Sequence, residues 1–237
     1  MGGEATGSNP CDTEHGEVDM AVESFMLSLG TSAPAFTLRD VVSGEVYQLD
    51  SFAGSSALLV MFICRHCPYV VHVEQELAGI GRDYQGTGLG MIAISSNDPK
   101  SYPDDAPPRL KEMAERLAFT FPFCCDDTQE VAKAYRAACT PDFFLFDRYR
   151  RLVYRGQLDD SRPGNNKPVT GRDLRAAINA VLGGKPVNPS QKASVGCSIK
   201  WRLLGEVGSC GPFSCFVGYL RASARKNRLQ YIHRCEP

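Results

Sequence analysis

Ala57-Leu58-Leu59-Val60-Met61-Phe62-Ile63-Cys64-Arg65-His66-Cys67-Pro68 is the stretch that decides the fold. An apolar run of this length, with β-branched and aromatic members, reads as a strand buried on both faces. Two cysteines three apart follow it, and Pro68 suits the first turn of a helix. Val70, Val73, Glu74 and Leu77 then recur at helical spacing, so the order is strand, Cys-x-x-Cys, helix. Unpaired N–H groups and the dipole at a helix N-terminus favour an anion. A thiolate is such an anion, and it is the reactive form of cysteine. On this reading Cys64 is the more exposed sulfur at the helix tip, and Arg65 and His66 lower its pKa by adding positive charge. The same motif also fits half of a zinc site, or two cysteines buried near a core strand.

Moving outward, Leu89 to Ile94 is a second buried strand closed by Ser95-Ser96-Asn97-Asp98-Pro99. A strand, helix, strand unit of this length implies parallel neighbours in one sheet. Upstream, Phe36 and Leu38 alternate with polar positions, and Val46, Tyr47 and Leu49 follow the Ser43-Gly44 turn, which predicts a hairpin. Downstream come a helix with Leu110, Met113, Ala114 and Leu117 on one face, and a short aromatic connector from Phe119 to Cys125. A helix with Val131, Ala132 and Tyr135 on its apolar face follows. Thr140-Pro141 opens a strand that returns through Leu152 to Gly156. The last clear helix carries Leu174, Ala177 and Ile178, begins at Thr170 or Gly171, and stops at Gly183-Gly184. The helix after the dithiol is expected to end near Gly79 to Gly81. Beyond about Lys185 the pattern fades.

The chain has 237 residues, 43% of them hydrophobic and 22% charged, with a net charge of −1. That suits one globular domain with a sizeable core, and there is no basic excess to recruit nucleic acid. No apolar run has the length of a membrane-spanning helix. Residues 1–26 have no Lys or Arg and carry six acidic groups. They read as a disordered acidic leader rather than an export or transit signal, which places the protein in the cytoplasm. Residues 27–201 form the expected domain, and residues 202–237 an irregular, basic, cysteine-containing tail. Without export a disulfide framework is not expected among the 10 cysteines. Cys11, Cys210, Cys215 and Cys235 default to free thiols, and Cys124, Cys125 and Cys139 to core packing.

Taken together, these residues resemble the thioredoxin-like superfamily in its peroxiredoxin-like, or redoxin, branch. The resemblance is carried by Ala33-Pro34-Ala35-Phe36-Thr37-Leu38, the Gly44 turn, the strand into Cys64, and Thr140-Pro141. Further strings, Ala93 to Asp98 and Tyr154-Arg155-Gly156-Gln157-Leu158-Asp159-Asp160-Ser161-Arg162-Pro163-Gly164-Asn165, resemble a subgroup of thioredoxin-family proteins. The resemblance implies an α/β fold with a central mixed sheet flanked by helices and an N-terminal β-hairpin extension. It also implies a thiol–disulfide oxidoreductase in which Cys64 is the nucleophile, Cys67 resolves and His66 tunes the couple. Arg65, Thr140 and Pro141 are the expected substrate-binding residues, with Pro141 cis and the Thr140 backbone pairing with an extended substrate.

A protein or small-molecule disulfide is the expected substrate and an unidentified thiol the reductant, with no cofactor, metal, nucleic acid or membrane partner. Antioxidant peroxidase activity is the alternative that the branch suggests. Against it, the peroxiredoxin signature places a proline and a hydroxyl residue before its reactive cysteine. Counting back from Cys67 finds Val60 and Cys64 there, and counting back from Cys64 finds Ala57 and Met61. The arginine of that branch has Cys139 as its nearest counterpart. A zinc or interaction module using Cys64, Cys67 and one of Cys124, Cys125 or His72 is the remaining alternative. Its ligand spacing lacks the second Cys-x-x-Cys or His-x-x-x-His pair that such sites carry.

Overall fold

The computed structural model describes residues 21–202. In chain order its elements are β1 (Ala21–Glu23), β2 (Thr37–Asp40), β3 (Val46–Gln48), β4 (Ala57–Phe62), α1 (Pro68–Asp83) and β5 (Leu89–Ser95). They continue as α2 (Pro107–Leu117), β6 (Phe123–Cys125), α3 (Glu130–Tyr135), β7 (Cys139–Thr140), β8 (Asp142–Asp147), β9 (Leu152–Gly156), α4 (Arg172–Leu182) and β10 (Val195–Ser198). Seven strands form one mixed sheet in the order β3-β2-β6-β5-β4-β8-β9, and β1, β10 and β7 form a smaller sheet. The fold is α/β and thioredoxin-like, with helices on both faces of the mixed sheet.

β4 lies at the centre of the large sheet, parallel to β5 and antiparallel to β8. All six of its residues are buried, as its unbroken apolar run requires. One face packs on α1, α2 and α4 through Leu59, Met61, Val73, Leu77, Leu110 and Ile178. The other face packs on α3 and the N-terminal hairpin through Leu58, Val60, Phe62, Phe36 and Tyr135. Each fully buried side chain of this size contributes about 1.5–3 kcal/mol, so β4 anchors both layers. The expected hairpin forms between β2 and β3, and β2 continues into the large sheet by pairing with β6.

Four sequence expectations change. The leader expected over residues 1–26 is shorter, because Ala21–Glu23 forms β1 and pairs with Cys197, Gly196 and Val195. Residues 1–20 and the tail from residue 203 lie outside the described residues. The aromatic connector ends in a true strand, β6, parallel to β5. α1 runs on to Asp83 through its glycines because a Cβ at Gly81 would strike Phe121 and Thr120; the position is small for packing, not for termination. The segment where periodicity fades contains β10, whose four residues are too few to show a period.

Buried Asp142 opens β8 with its carboxylate accepting the Ala138 N–H at 3.3 Å. Burial pushes this carboxyl up to about 8, against hydrogen bonds that favour its ionised form. An unfolded aspartate titrates near ~3.9. Asp142 therefore contributes stability that is complete below about pH 4 and is lost as pH rises through its folded value. Thermal melts at pH 5 and pH 8 should show a lower Tm at the higher pH, and Asp142→Asn should remove most of that difference. An undiminished difference in the variant would overturn this assignment.

Candidate functional site

The dithiol sits where β4 ends and α1 begins. Cys67 is the N-cap of α1 and Pro68 its first residue; the Cys67 carbonyl accepts the N–H groups of Val70 and Val71, each at 3.0 Å. Because a proline follows the second cysteine, the helix starts there, and the sulfur at the helix tip is that of Cys67 rather than Cys64. Neither residue has any solvent exposure, which corrects the expectation that Cys64 is the exposed sulfur. The apolar strand carries Cys64 inside with it, and β7 and β10 close over the pair.

Thr140 touches both sulfurs. Its Oγ1 lies 3.2 Å from Cys64 Sγ, and its carbonyl accepts a hydrogen bond from the Cys67 thiol at 3.1 Å. The Thr140–Pro141 peptide is cis, as expected. The Thr140 backbone does not present an open edge to substrate, however. It is paired antiparallel with β10, where Cys197 faces it in register. β10 is pressed so close that a Cβ on Gly196 would fall on the Thr140 carbonyl.

Asp105 organises the other side, and no sequence feature announces it. It has no exposure, and its Oδ1 accepts the backbone N–H groups of Arg65 at 2.7 Å and His66 at 3.3 Å. Its Oδ2 lies 2.5 Å from His66 Nδ1 and accepts Asn97 Nδ2 at 2.8 Å. Burial works to raise the Asp105 carboxyl, but these hydrogen bonds outweigh it and hold the group below its ordinary value. The His66 ring stacks on Tyr102 with centroids 5.1 Å apart. The Arg65 guanidinium turns away from the sulfurs to a surface pair with Asp104 at 2.9 Å. Of the two cations read as flanking the dithiol, only His66 stays near Cys64, and its ring is held by a carboxylate.

These surroundings reverse the expected titration. Burial pushes the Cys64 thiol well up, with the hydrogen bond to Cys67 and the negative charge of Asp105 acting the same way. Cys67 is lowered, first by a hydrogen bond from the Cys197 side chain, then by one from Cys64, with the Cys197 backbone adding to them against the cost of burial. Of the two sulfurs, Cys67 is thus the one whose ionised form is favoured. The Thr140 carbonyl, an acceptor only, favours the protonated Cys67 and limits the effect.

Cys64, His66 and Asp105 place their donor atoms within 4.8 Å of one another. Asp105 already accepts four hydrogen bonds, so a cation would have to displace them. Among the described residues no such grouping includes Cys124, Cys125 or His72. Cys124 is buried, and burial pushes its thiol up to about 12, as a packing residue requires. His72 instead meets the Ser161 hydroxyl, with Nε2 2.7 Å from Oγ. Asp159 is buried and accepts the N–H groups of Ser161, Thr170 and Gly171, which holds the entry to α4.

Among solved structures, the chain resembles an uncharacterized conserved protein from Geobacillus kaustophilus, with 54% identity and a TM-score of 0.76 over 77% of this chain and 97% of that one. A hypothetical protein from Sinorhizobium meliloti 1021 is 50% identical, with a TM-score of 0.75 over 76% of this chain and 98% of the other. The thiol-disulfide oxidoreductase ResA of Geobacillus thermodenitrificans (strain NG80-2) is 28% identical over 128 residues, 53% of this chain and 67% of that protein. The AhpC/TSA family model matches residues 29–155, from the strand-forming N-terminal section through the dithiol to β9. The chain belongs to the AhpC/TSA family, within the thioredoxin-like redoxin superfamily.

Proposed function

We propose that the protein is a thiol–disulfide oxidoreductase in which Cys67 carries the reactive thiolate and Cys64 is its exchange partner. The observation that carries this reading is the Cys67 sulfur at the tip of a 16-residue helix, hydrogen-bonded by Cys197 and Cys64. The likeness to ResA supports the reaction class. The Cys67 thiolate attacks one sulfur of a substrate disulfide, and a mixed disulfide forms as the other sulfur leaves as thiolate. Cys64 then attacks the Cys67 sulfur, and its proton passes to the departing thiol. The products are a Cys64–Cys67 disulfide and a substrate reduced by two electrons. An external thiol restores the dithiol. The reading exchanges the roles first expected of the two cysteines, because the helix begins after the second one. Arg65 and His66 then serve to hold the loop between the sulfurs on Asp105 through their backbone N–H groups.

Thiolate absorbance tests the assignment without any need for reagent access. The difference spectrum between Cys64→Ser and Cys64→Ser/Cys67→Ser should titrate below the free-thiol value of about 8.5. A midpoint at or above that value would sink it.

A further inference from the structure

We propose that Cys197 is a third exchange thiol of this site, so that a Cys67–Cys197 disulfide forms as an alternative to Cys64–Cys67. The inference rests on the reading of Cys67 as the sulfur that exchanges. It starts from the placement of β10, which brings a residue 130 positions away in sequence onto the dithiol. Cys197 is opposite Thr140 in the β10–β7 ladder, and Thr140 is the residue that contacts both Cys64 and Cys67. On its other side the same residue pairs with Ala21 of β1, so it is held from two directions. The contact is tight by construction, since Gly196 leaves no room for a side chain against the Thr140 carbonyl. The Cys197 side chain reaches the Cys67 sulfur and hydrogen-bonds to it. Cys197 is 2% exposed and packs in the same buried cluster as Cys64 and Cys67.

A buried cysteine is often only a small apolar filler. Here the neighbour it fills against is the thiolate of the site, and the strand that carries it occupies the Thr140 edge that a substrate backbone was expected to use. Cys197 thus takes the place of a substrate sulfur supplied by the chain itself. The chemistry balances as ordinary exchange. In a Cys67 mixed disulfide, the Cys197 sulfur attacks Cys67, its proton goes to the departing thiol, and Cys67–Cys197 forms. Cys64 can then attack Cys67, forming Cys64–Cys67 and returning its proton to Cys197. The first step needs only the disulfide that made the mixed species, and the second leaves the oxidation level unchanged.

The test uses the full chain and glutathione disulfide as the probe. Trypsin cuts after Arg65, Arg82, Lys192 and Lys200, which places Cys67 in peptide 66–82, Cys197 in 193–200 and Cys64 in 40–65. After oxidation, acid quench and alkylation, Cys64→Ser should give a disulfide-linked 66–82/193–200 pair, absent from Cys64→Ser/Cys197→Ala. Cys67 left as a glutathione adduct in Cys64→Ser, while the unaltered chain forms the 40–65/66–82 link, would overturn the proposal and spare the dithiol reading. Absence of the 40–65/66–82 link from the unaltered chain would overturn the dithiol reading itself. Should Cys64→Ser fail to fold, brief oxidation of the unaltered chain supplies the same readout: the 66–82/193–200 pair appears before the 40–65/66–82 link is complete. Its absence at every time sampled would overturn the inference.

Discussion

Cys67→Ser is expected to lose disulfide reduction, by on the order of a thousandfold or more, the scale on which removal of a covalent nucleophile is felt. The cause is local: the sulfur at the N-cap of α1 is the one whose ionised form is held by hydrogen bonds. Cys64→Ser is expected to behave differently. It should lose most of its turnover with a dithiol reductant, yet Cys67 should still react with one equivalent of a small disulfide, the adduct forming first and then passing on to the Cys67–Cys197 disulfide. The asymmetry is the informative result. It is read by following mixed-disulfide formation by mass and turnover with a chromogenic disulfide in the two variants side by side. If Cys64→Ser were inert and Cys67→Ser formed the adduct, the roles would revert to those expected from the motif alone.

Asp105→Ala is expected to destabilise the fold by about 3–5 kcal/mol, the cost of breaking a buried charged group's network and leaving its partners unpaired. Four donors lose their acceptor at once: the backbone N–H groups of Arg65 and His66, the His66 ring and the Asn97 amide. A guanidinium unfolding midpoint at unchanged m-value measures this, and a loss below about 1 kcal/mol would show that water replaces the carboxylate without strain. The pH dependence has a definite sign. The folded pKa of Asp105 lies below the unfolded value of ~3.9, so its contribution is present above that value and is lost as pH falls through the folded one. The gap between the unaltered protein and Asp105→Asn should therefore narrow in acid.

The parts of this molecule that follow from short-range pattern were legible in the chain. A short unbroken apolar run with β-branched and aromatic members reads as a strand buried on both faces, and β4 is that strand. Pro68 and the spacing of Val70, Val73 and Leu77 determine a helix with its buried face toward β4. Cys64 and Cys67 therefore had to lie at the end of that strand and the start of that helix. Thr140-Pro141 was placed by its position before a strand of aromatic residues.

What the tertiary structure decided is everything that depends on contacts distant in sequence. β1 and β10 have three and four residues, at most two periods of a strand, so what defines them is their pairing with each other and of β10 with β7. Asp105 lies among prolines at the end of a 3-10 turn over Pro103–Asp105, and its burial follows only from the fold bringing residues 97–105 over the Cys64–Cys67 turn. Which sulfur ionises more readily was likewise beyond the motif. A thiol's pKa balances burial and nearby charge against the donors around it, and here those groups are Cys197, Thr140 and Asp105, supplied by three separate segments. The motif determined that two sulfurs meet at a helix tip; packing over them determined that the ionised form is favoured at Cys67 rather than Cys64, because burial raises Cys64 and the Cys197 side chain lowers Cys67.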